Sequence, residues 1–268
     1  MDLEPLDLNG RRTQVAVGGD GPPLLYLHSA AGESIAWMDL LTGLADEHTV
    51  HAPLQPGFFE SEGLEQIRDI EDLTYHYLAL IDARGWERID VMGCSVGGWI
   101  ALELAARHPE RIGRLVLAAS AGIRIPDVPM ADMFRITVGQ EERARELLFH
   151  DPTHPLAAVA LPSFSDLPEE QLGAFIKAMA ATAKVAWNPY MHNPRLEGLL
   201  GRISAETLIV WGEDDRMIPL AYGERLTELI PGARLETIPE CGHAIWLERP
   251  QPLLELARAH LAAPAGVP

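Results

Sequence analysis

Ile89-Asp90-Val91-Met92-Gly93-Cys94-Ser95-Val96-Gly97-Gly98-Trp99-Ile100-Ala101-Leu102 decides how this chain is read. Its first half is an apolar run that predicts a buried strand over Ile89 to Cys94. Its second half predicts a helix over Gly97 to Arg107, ended by His108-Pro109. Between them lies Gly93-Cys94-Ser95-Val96-Gly97, a G-x-S-x-G. A serine on such a strand-to-helix turn is lifted above the sheet, and the flanking glycines leave room for a tight, strained backbone. The N–H of the next residue, Val96, can then face an oxyanion, and the helix N-terminus favours the same negative charge. Alone, the motif is equally an ordinary turn, because glycine and serine are common in turns.

Outward from this turn the chain alternates short apolar runs with amphipathic stretches. Strands are predicted at Leu24 to His28, Thr49 to Pro53, Leu115 to Ala119, Thr207 to Trp211 and Leu235 to Ile238. Helices are predicted around Ile35 to Leu44, over the 3.6-spaced Ile70, Leu73, Tyr77, Leu80 and Ile81, and over Leu220 to Ile230 and Pro252 to Leu261. That rhythm is α/β: a mostly parallel sheet flanked by helices. It breaks between 122 and 201, where helical patterns are divided by prolines and no buried-strand run occurs. The expected division is therefore a core of 1–121 and 202–268 with a helical cap inserted over 122–201.

Two later loops supply partners for Ser95. The apolar run Leu208-Ile209-Val210-Trp211 leads into Gly212-Glu213-Asp214-Asp215-Arg216-Met217-Ile218-Pro219, so a carboxylate, Asp214 or Asp215, stands at a strand's carboxyl end. After Leu235 to Ile238 comes Pro239-Glu240-Cys241-Gly242-His243. A histidine there can take a proton from a serine hydroxyl while the carboxylate fixes its tautomer.

With these segments the chain resembles a capped serine hydrolase of the α/β-hydrolase superfamily over nearly its full length. The nucleophile turn is matched by Gly93 to Gly98, and the G-x-x-D-x-x-x-P acid loop by Gly212, Asp215 and Pro219, which selects Asp215 over Asp214. The final G-H-x-x-x-x-E-x-P is matched by Gly242, His243, Glu248 and Pro250. The H-G-x-x-G oxyanion loop appears as His28-Ser29-Ala30-Ala31-Gly32, and the match gives the second oxyanion N–H to Ala30 beside Val96. Ser29 stands where the family has glycine. The D-x-P-G-x-G-x-S turn appears as Leu54-Gln55-Pro56-Gly57-Phe58-Phe59-Glu60-Ser61, without the aspartate or the second glycine.

The resemblance implies acyl transfer through Ser95, His243 and Asp215, with no cofactor and no metal. Ester hydrolysis is the first expectation. Carbon–carbon hydrolysis of vinylogous diketone acids, as in meta-cleavage-product hydrolases, is the alternative. Those enzymes share the Asp-Arg-x-x-Pro string seen at 215 to 219, but usually carry asparagine and tryptophan where this chain has Cys94 and Ala244. Cofactor-free perhydrolases use the same triad. From another class, a small-ligand sensor would keep the triad and signal by cap movement.

Composition bounds the partners. The 268 residues carry 21 basic and 39 acidic side chains, a net charge of -18, which repels phosphate backbones and anionic membranes. A small-molecule substrate is expected, without nucleic acid or membrane, and homo-oligomerisation is left open. The N-terminus lacks a signal-peptide pattern and two cysteines make no disulfide framework, so a cytoplasmic protein is expected.

Other residues have two readings. Ser29, Met133, Trp187 and Tyr190 are candidates for the substrate-pocket wall; packing explains Met133, Trp187 and Tyr190 equally well, and Ser29 reads as a packing residue rather than a catalytic one. His150 and His154 are four apart, but Pro152 lies between them, so a surface loop is expected rather than a metal site. Cys94 and Cys241 are expected to be packed, inert thiols.

Overall fold

The computed structural model describes residues 1–136 and 139–262; the expected core tail at 263–268, and positions 137–138 of the expected cap, lie outside them. The strands are β1 (Asp2–Leu8), β2 (Arg11–Gly18), β3 (Pro23–Leu27), β4 (Thr49–Pro53), β5 (Ile89–Cys94), β6 (Ile112–Ala118), β7 (Glu206–Gly212) and β8 (Arg234–Ile238). Among the described residues they form one sheet in the order β1-β2-β4-β3-β5-β6-β7-β8. The pairs β1–β2 and β2–β4 are antiparallel, and all later pairings are parallel. In β5 and β7 nearly every residue is buried, as expected of central strands covered on both faces.

Helices α1 (Asp39–Leu44), α2 (Ile70–Ala83) and α3 (Val96–Arg107) connect the first parallel strands. Asp69 caps α2 by accepting the Asp72 N–H, and the helix buries the Ile70, Leu73, Tyr77, Leu80 and Ile81 stripe. Burying each such side chain contributes roughly 1.5–3 kcal/mol. Helix α3 is buried from Val96 to Ala106, because it packs under the sheet's centre.

Two local expectations need correction. The single helix around Ile35 to Leu44 is a 3₁₀ turn, Glu33–Ala36, followed by α1. Trp37 sits between them at φ 43, a left-handed conformation that no continuous helix contains. The hairpin of β1 and β2 was not expected either. Its turn is Asn9-Gly10, at φ 57 and φ 80, and Asn-Gly is the residue pair that such two-residue turns favour.

Between β6 and β7 the described residues of 122–201 contain no strand. They carry α4 (Glu141–Leu148), α5 (Pro155–Ala160) and α6 (Glu169–Ala186). The segment has a closed neck: the Gly122 N–H donates to Met191 O, and the Asn193 N–H donates to Gly122 O. Core elements resume with α7 (Ala221–Leu229), α8 (Ile245–Glu248) and α9 (Pro250–Leu261). Among the described residues no helix is long and apolar enough to cross a membrane.

Candidate active site

Ser95 occupies the turn between β5 and α3 at φ 52, a strained conformation for a residue with a Cβ. Close packing explains the neighbouring glycines. A Cβ at Gly97 would lie 2.0 Å from Leu27 O, and one at Gly93 would lie 2.4 Å from Gly97 O. The turn is locked by the Ser95 N–H donating to Ala118 O and the Ala121 N–H donating to Ser95 O. Val96 opens α3, so its N–H is one of the four at a helix start with no intrahelical partner.

The structure brings His243 and Asp215 to this serine. His243 Nε2 lies 3.0 Å from Ser95 Oγ, and His243 Nδ1 lies 2.8 Å from Asp215 Oδ2. A carboxylate only accepts, so Nδ1 carries the proton and Nε2 is free to accept from the hydroxyl. Asp215 is itself held, its Oδ1 accepting the N–H groups of Met217 (2.9 Å) and Ile218 (2.8 Å). All three side chains are buried. Asp214 takes a different partner: His150 Nδ1 donates to its Oδ2 at 2.8 Å. Neighbours in sequence, the two aspartates are thus separated by geometry. Such a serine–imidazole–carboxylate line can withdraw the Oγ proton and return it to a leaving group.

The loop after β3 faces Ser95 and is braced by Glu33. The Ser29 N–H (2.9 Å) and the Tyr26 hydroxyl (2.9 Å) donate to Glu33 Oε1, and the Ser29 hydroxyl (2.7 Å) donates to Oε2. Ser29 Oγ in turn accepts the Ala31 N–H at 3.1 Å. Ala30, between these two amides, lines the chamber over Ser95, and its N–H makes no hydrogen bond among the described residues. The hydroxyl that stands where the family has glycine is therefore a strut of the loop. His28 is buried beneath it, accepting the Gln55 N–H at Nε2 (2.9 Å) and donating from Nδ1 to Ser29 O (2.6 Å). Burial pushes its pKa down, so the ring is a neutral brace. Phe59, where the family has the second glycine, holds φ 48 and lies half exposed.

A chamber of about 440 Å³ opens over Ser95. All four wall candidates line it: Ser29, Met133, Trp187 and Tyr190. Trp187 is 58% exposed, so it stands at the rim. Tyr190 presents its ring; its hydroxyl donates to Ala131 O (2.6 Å) and accepts the Met133 N–H (3.1 Å), and burial pushes its pKa up to about 12. Several lining residues escaped the sequence analysis, among them Phe149, Phe175, Met179 and Glu141. Apolar helix positions facing a pocket and those facing a core follow the same periodicity, so no sequence signal separates them. Backbone N–H groups of Gly139 and Phe164 donate to Glu141 and hold its carboxyl below the usual range.

Glu248 was matched in sequence without a role. Its buried carboxylate accepts the N–H groups of Gly242 (2.7 Å), His150 (3.0 Å) and Asp151 (2.9 Å), while the Ala244 N–H donates to Leu148 O (2.8 Å). The His243 loop is thereby sewn to the segment after α4. Among the described residues no cluster with metal-ligand chemistry occurs; His154 stacks on Phe149 instead. Cys94 and Cys241 are free and buried, and burial raises both thiols, Cys241 to about 12.

Comparison with known proteins adds to this geometry. The profile of a family described as the alpha/beta hydrolase fold matches residues 22–250. The 2-hydroxymuconate semialdehyde hydrolase of Pseudomonas putida is 30% identical over 272 residues, covering 94% of this chain and 92% of that protein. Among solved structures, a membrane phospholipase A is similar at a TM-score of 0.82 and 24% identity, covering 97% of this chain and 85% of that one. A meta-cleavage product hydrolase from Pseudomonas fluorescens IP01 gives 0.79 at 24% identity, covering 96% and 97%. At these identities the structural likeness speaks for the fold alone.

Proposed function

This chain belongs to the α/β-hydrolase fold family, and on that premise we propose that it is a serine hydrolase cleaving an uncharged carboxylic ester through an acyl-enzyme. Ser95 Oγ attacks the carbonyl carbon as His243 Nε2 takes its proton. The N–H groups of Ala30 and Val96 hold the oxyanion, and Asp215 stabilises the imidazolium. Collapse expels the alkoxide, which takes the proton from His243. Water, deprotonated by the same nitrogen, then releases the acid.

One observation carries this reading. Ser95 and His243 line a chamber whose described lining residues include no lysine or arginine. An anionic substrate would lose its hydration there without a cationic partner, with the Glu141 carboxylate on the same wall.

Carbon–carbon hydrolysis of a vinylogous diketone acid is the second reading. The likeness to the 2-hydroxymuconate semialdehyde hydrolase speaks for it, and more strongly than for an ester. The same triad would serve, with the leaving electron pair delocalised into the diene and His243 protonating carbon. Against it stands that no lysine or arginine is among the described lining residues of the chamber.

The deciding assay offers wild type and Ser95→Ala both p-nitrophenyl butyrate and 2-hydroxymuconate semialdehyde. Ester turnover that falls about 10³-fold or more in the variant is the expected result. Cleavage of the semialdehyde alone carries the second reading. Unchanged turnover in Ser95→Ala overturns both.

A further inference from the structure

A second chamber of about 360 Å³ adjoins the first, and six residues line both: Ala30, Ala31, Ala160, Phe175, Met179 and Leu247. Ala30 and Ala31, on the loop beside Ser95, are part of the wall that the two chambers share. Their walls differ. The first is faced by rings, including Phe134, Phe149, Trp187, Tyr190 and Trp246. Beyond the junction the second is lined mainly by slim aliphatic groups, among them Ile35, Ala36, Leu156, Val159, Ala174 and Ala178.

The second chamber offers almost nothing polar to a ligand. Glu33 lines it, but its carboxylate already accepts from Ser29 and Tyr26. Gln171 is exposed. No lysine, arginine or histidine is among the described lining residues, and Lys177 of α6 donates to Phe59 O (2.9 Å) instead. Val159, on the wall, is 70% exposed, which gives the chamber an apolar opening to solvent.

We infer that this second chamber binds the acyl arm of the substrate, a long unbranched alkyl chain that runs from the carbonyl over Ser95, past Ala31, toward Val159. The ring-faced first chamber then holds the leaving group. An aliphatic channel without charge admits methylenes and excludes carboxylates, so the substrate class is a medium- to long-chain acyl ester. The inference rests on the ester reading above and names the substrate of that site.

The test is the kcat/KM of p-nitrophenyl esters from acetate to dodecanoate for wild type, Ala174→Trp and Val159→Glu. For wild type each added methylene raises kcat/KM by up to about fourfold until the chamber is filled. Ala174→Trp fills the chamber from α6, and Val159→Glu puts a charge at its opening. Each lowers the dodecanoate-to-acetate ratio at least tenfold. Val159 is exposed, so its variant keeps the test alive should Ala174→Trp fail to fold. The same ratio in all three proteins overturns the inference. Calorimetric binding of butan-1-ol and dodecan-1-ol separates it from the ester reading. Tighter dodecanol binding that both variants weaken, without ester turnover, leaves the chamber assigned and sinks the ester. Equal binding of the two alcohols sinks the chamber.

Discussion

The sheet side and the helical side of the chamber are built by opposite means. On the sheet side the backbone leaves no slack: a Cβ at Gly212 would lie 2.3 Å from Gly242 O, and Ser95 is held at φ 52. On the helical side nothing lies within 4 Å of a Cβ added at Gly139 or Gly173. The polar side chains of the first are buried, whereas the second exposes Val159, Ile176 and Trp187. Chemistry here depends on where the main chain puts a few atoms. Selection of substrate depends on which side chains happen to face inward.

That contrast predicts the largest effect at the acid. Asp215→Asn should lower kcat by about 10⁴-fold, because an amide there no longer enforces the proton on His243 Nδ1. Asp214→Asn, one residue away, touches only the His150 contact and should stay within about threefold. Steady-state kinetics on one good ester measures both. Equal losses would mean that loop packing, rather than the carboxylate on His243, sustains the activity.

The same contrast explains what could be read from sequence. Gly93, Gly97, Gly212 and Gly242 sit where backbones touch, so the loops that carry Ser95, Asp215 and His243 left fixed spacings in the chain. The absence of strands among the described residues of 122–201 was equally legible, because prolines and missing apolar runs are local signals. The chamber wall was not. Phe149 is itself fully buried and Phe175 sits on a helix, and periodicity does not record that either lines the chamber. Trp37 breaks a helix that its neighbours promise, without a glycine or proline to mark it. The first hairpin was legible in Asn9-Gly10, but Pro5 and the acidic residues of β1 disguise an edge strand that buries only Leu8.

Buried polarity on the core side also makes the fold sensitive to acid. His76 is buried against Thr13, with Nε2 3.3 Å from its hydroxyl. Burial, and next the Arg11 guanidinium, push its pKa down to about 3. Burial likewise lowers His51 to about 4. The unfolded chain takes up these protons near pH 6.5 while the folded chain refuses them. Stability is therefore fully present above about 6.5 and is lost as pH falls toward 3, at about 1.4 kcal/mol per unit for each such group. Urea unfolding of wild type and His76→Gln at pH 7.5 and 5.0 isolates one of them. The variant should lose about 2 kcal/mol less over that interval. Parallel losses would show that His76 titrates alike in both states.

The smallest expected effect lies at Ser29, the one wall candidate that belongs to the sheet side. If that side works through backbone placement, the hydroxyl matters as the strut between Glu33 and the Ala31 N–H, not as a contact to substrate. Removing an oxyanion donor outright costs about 10²–10³-fold, so loosening the loop that carries Ala30 should cost less, about tenfold in kcat for Ser29→Gly. KM for a short ester should stay near its wild-type value, and Glu33→Gln, whose single oxygen can still accept from the Tyr26 hydroxyl and the Ser29 N–H but whose NH2 cannot accept from the Ser29 hydroxyl, should recover only part of the rate that Glu33→Ala loses. A drop in Ser29→Gly confined to KM, and growing with acyl length, would instead make Ser29 part of the channel wall. The division between a backbone-built sheet side and a side-chain-built helical side would then fail at the loop where the two chambers meet.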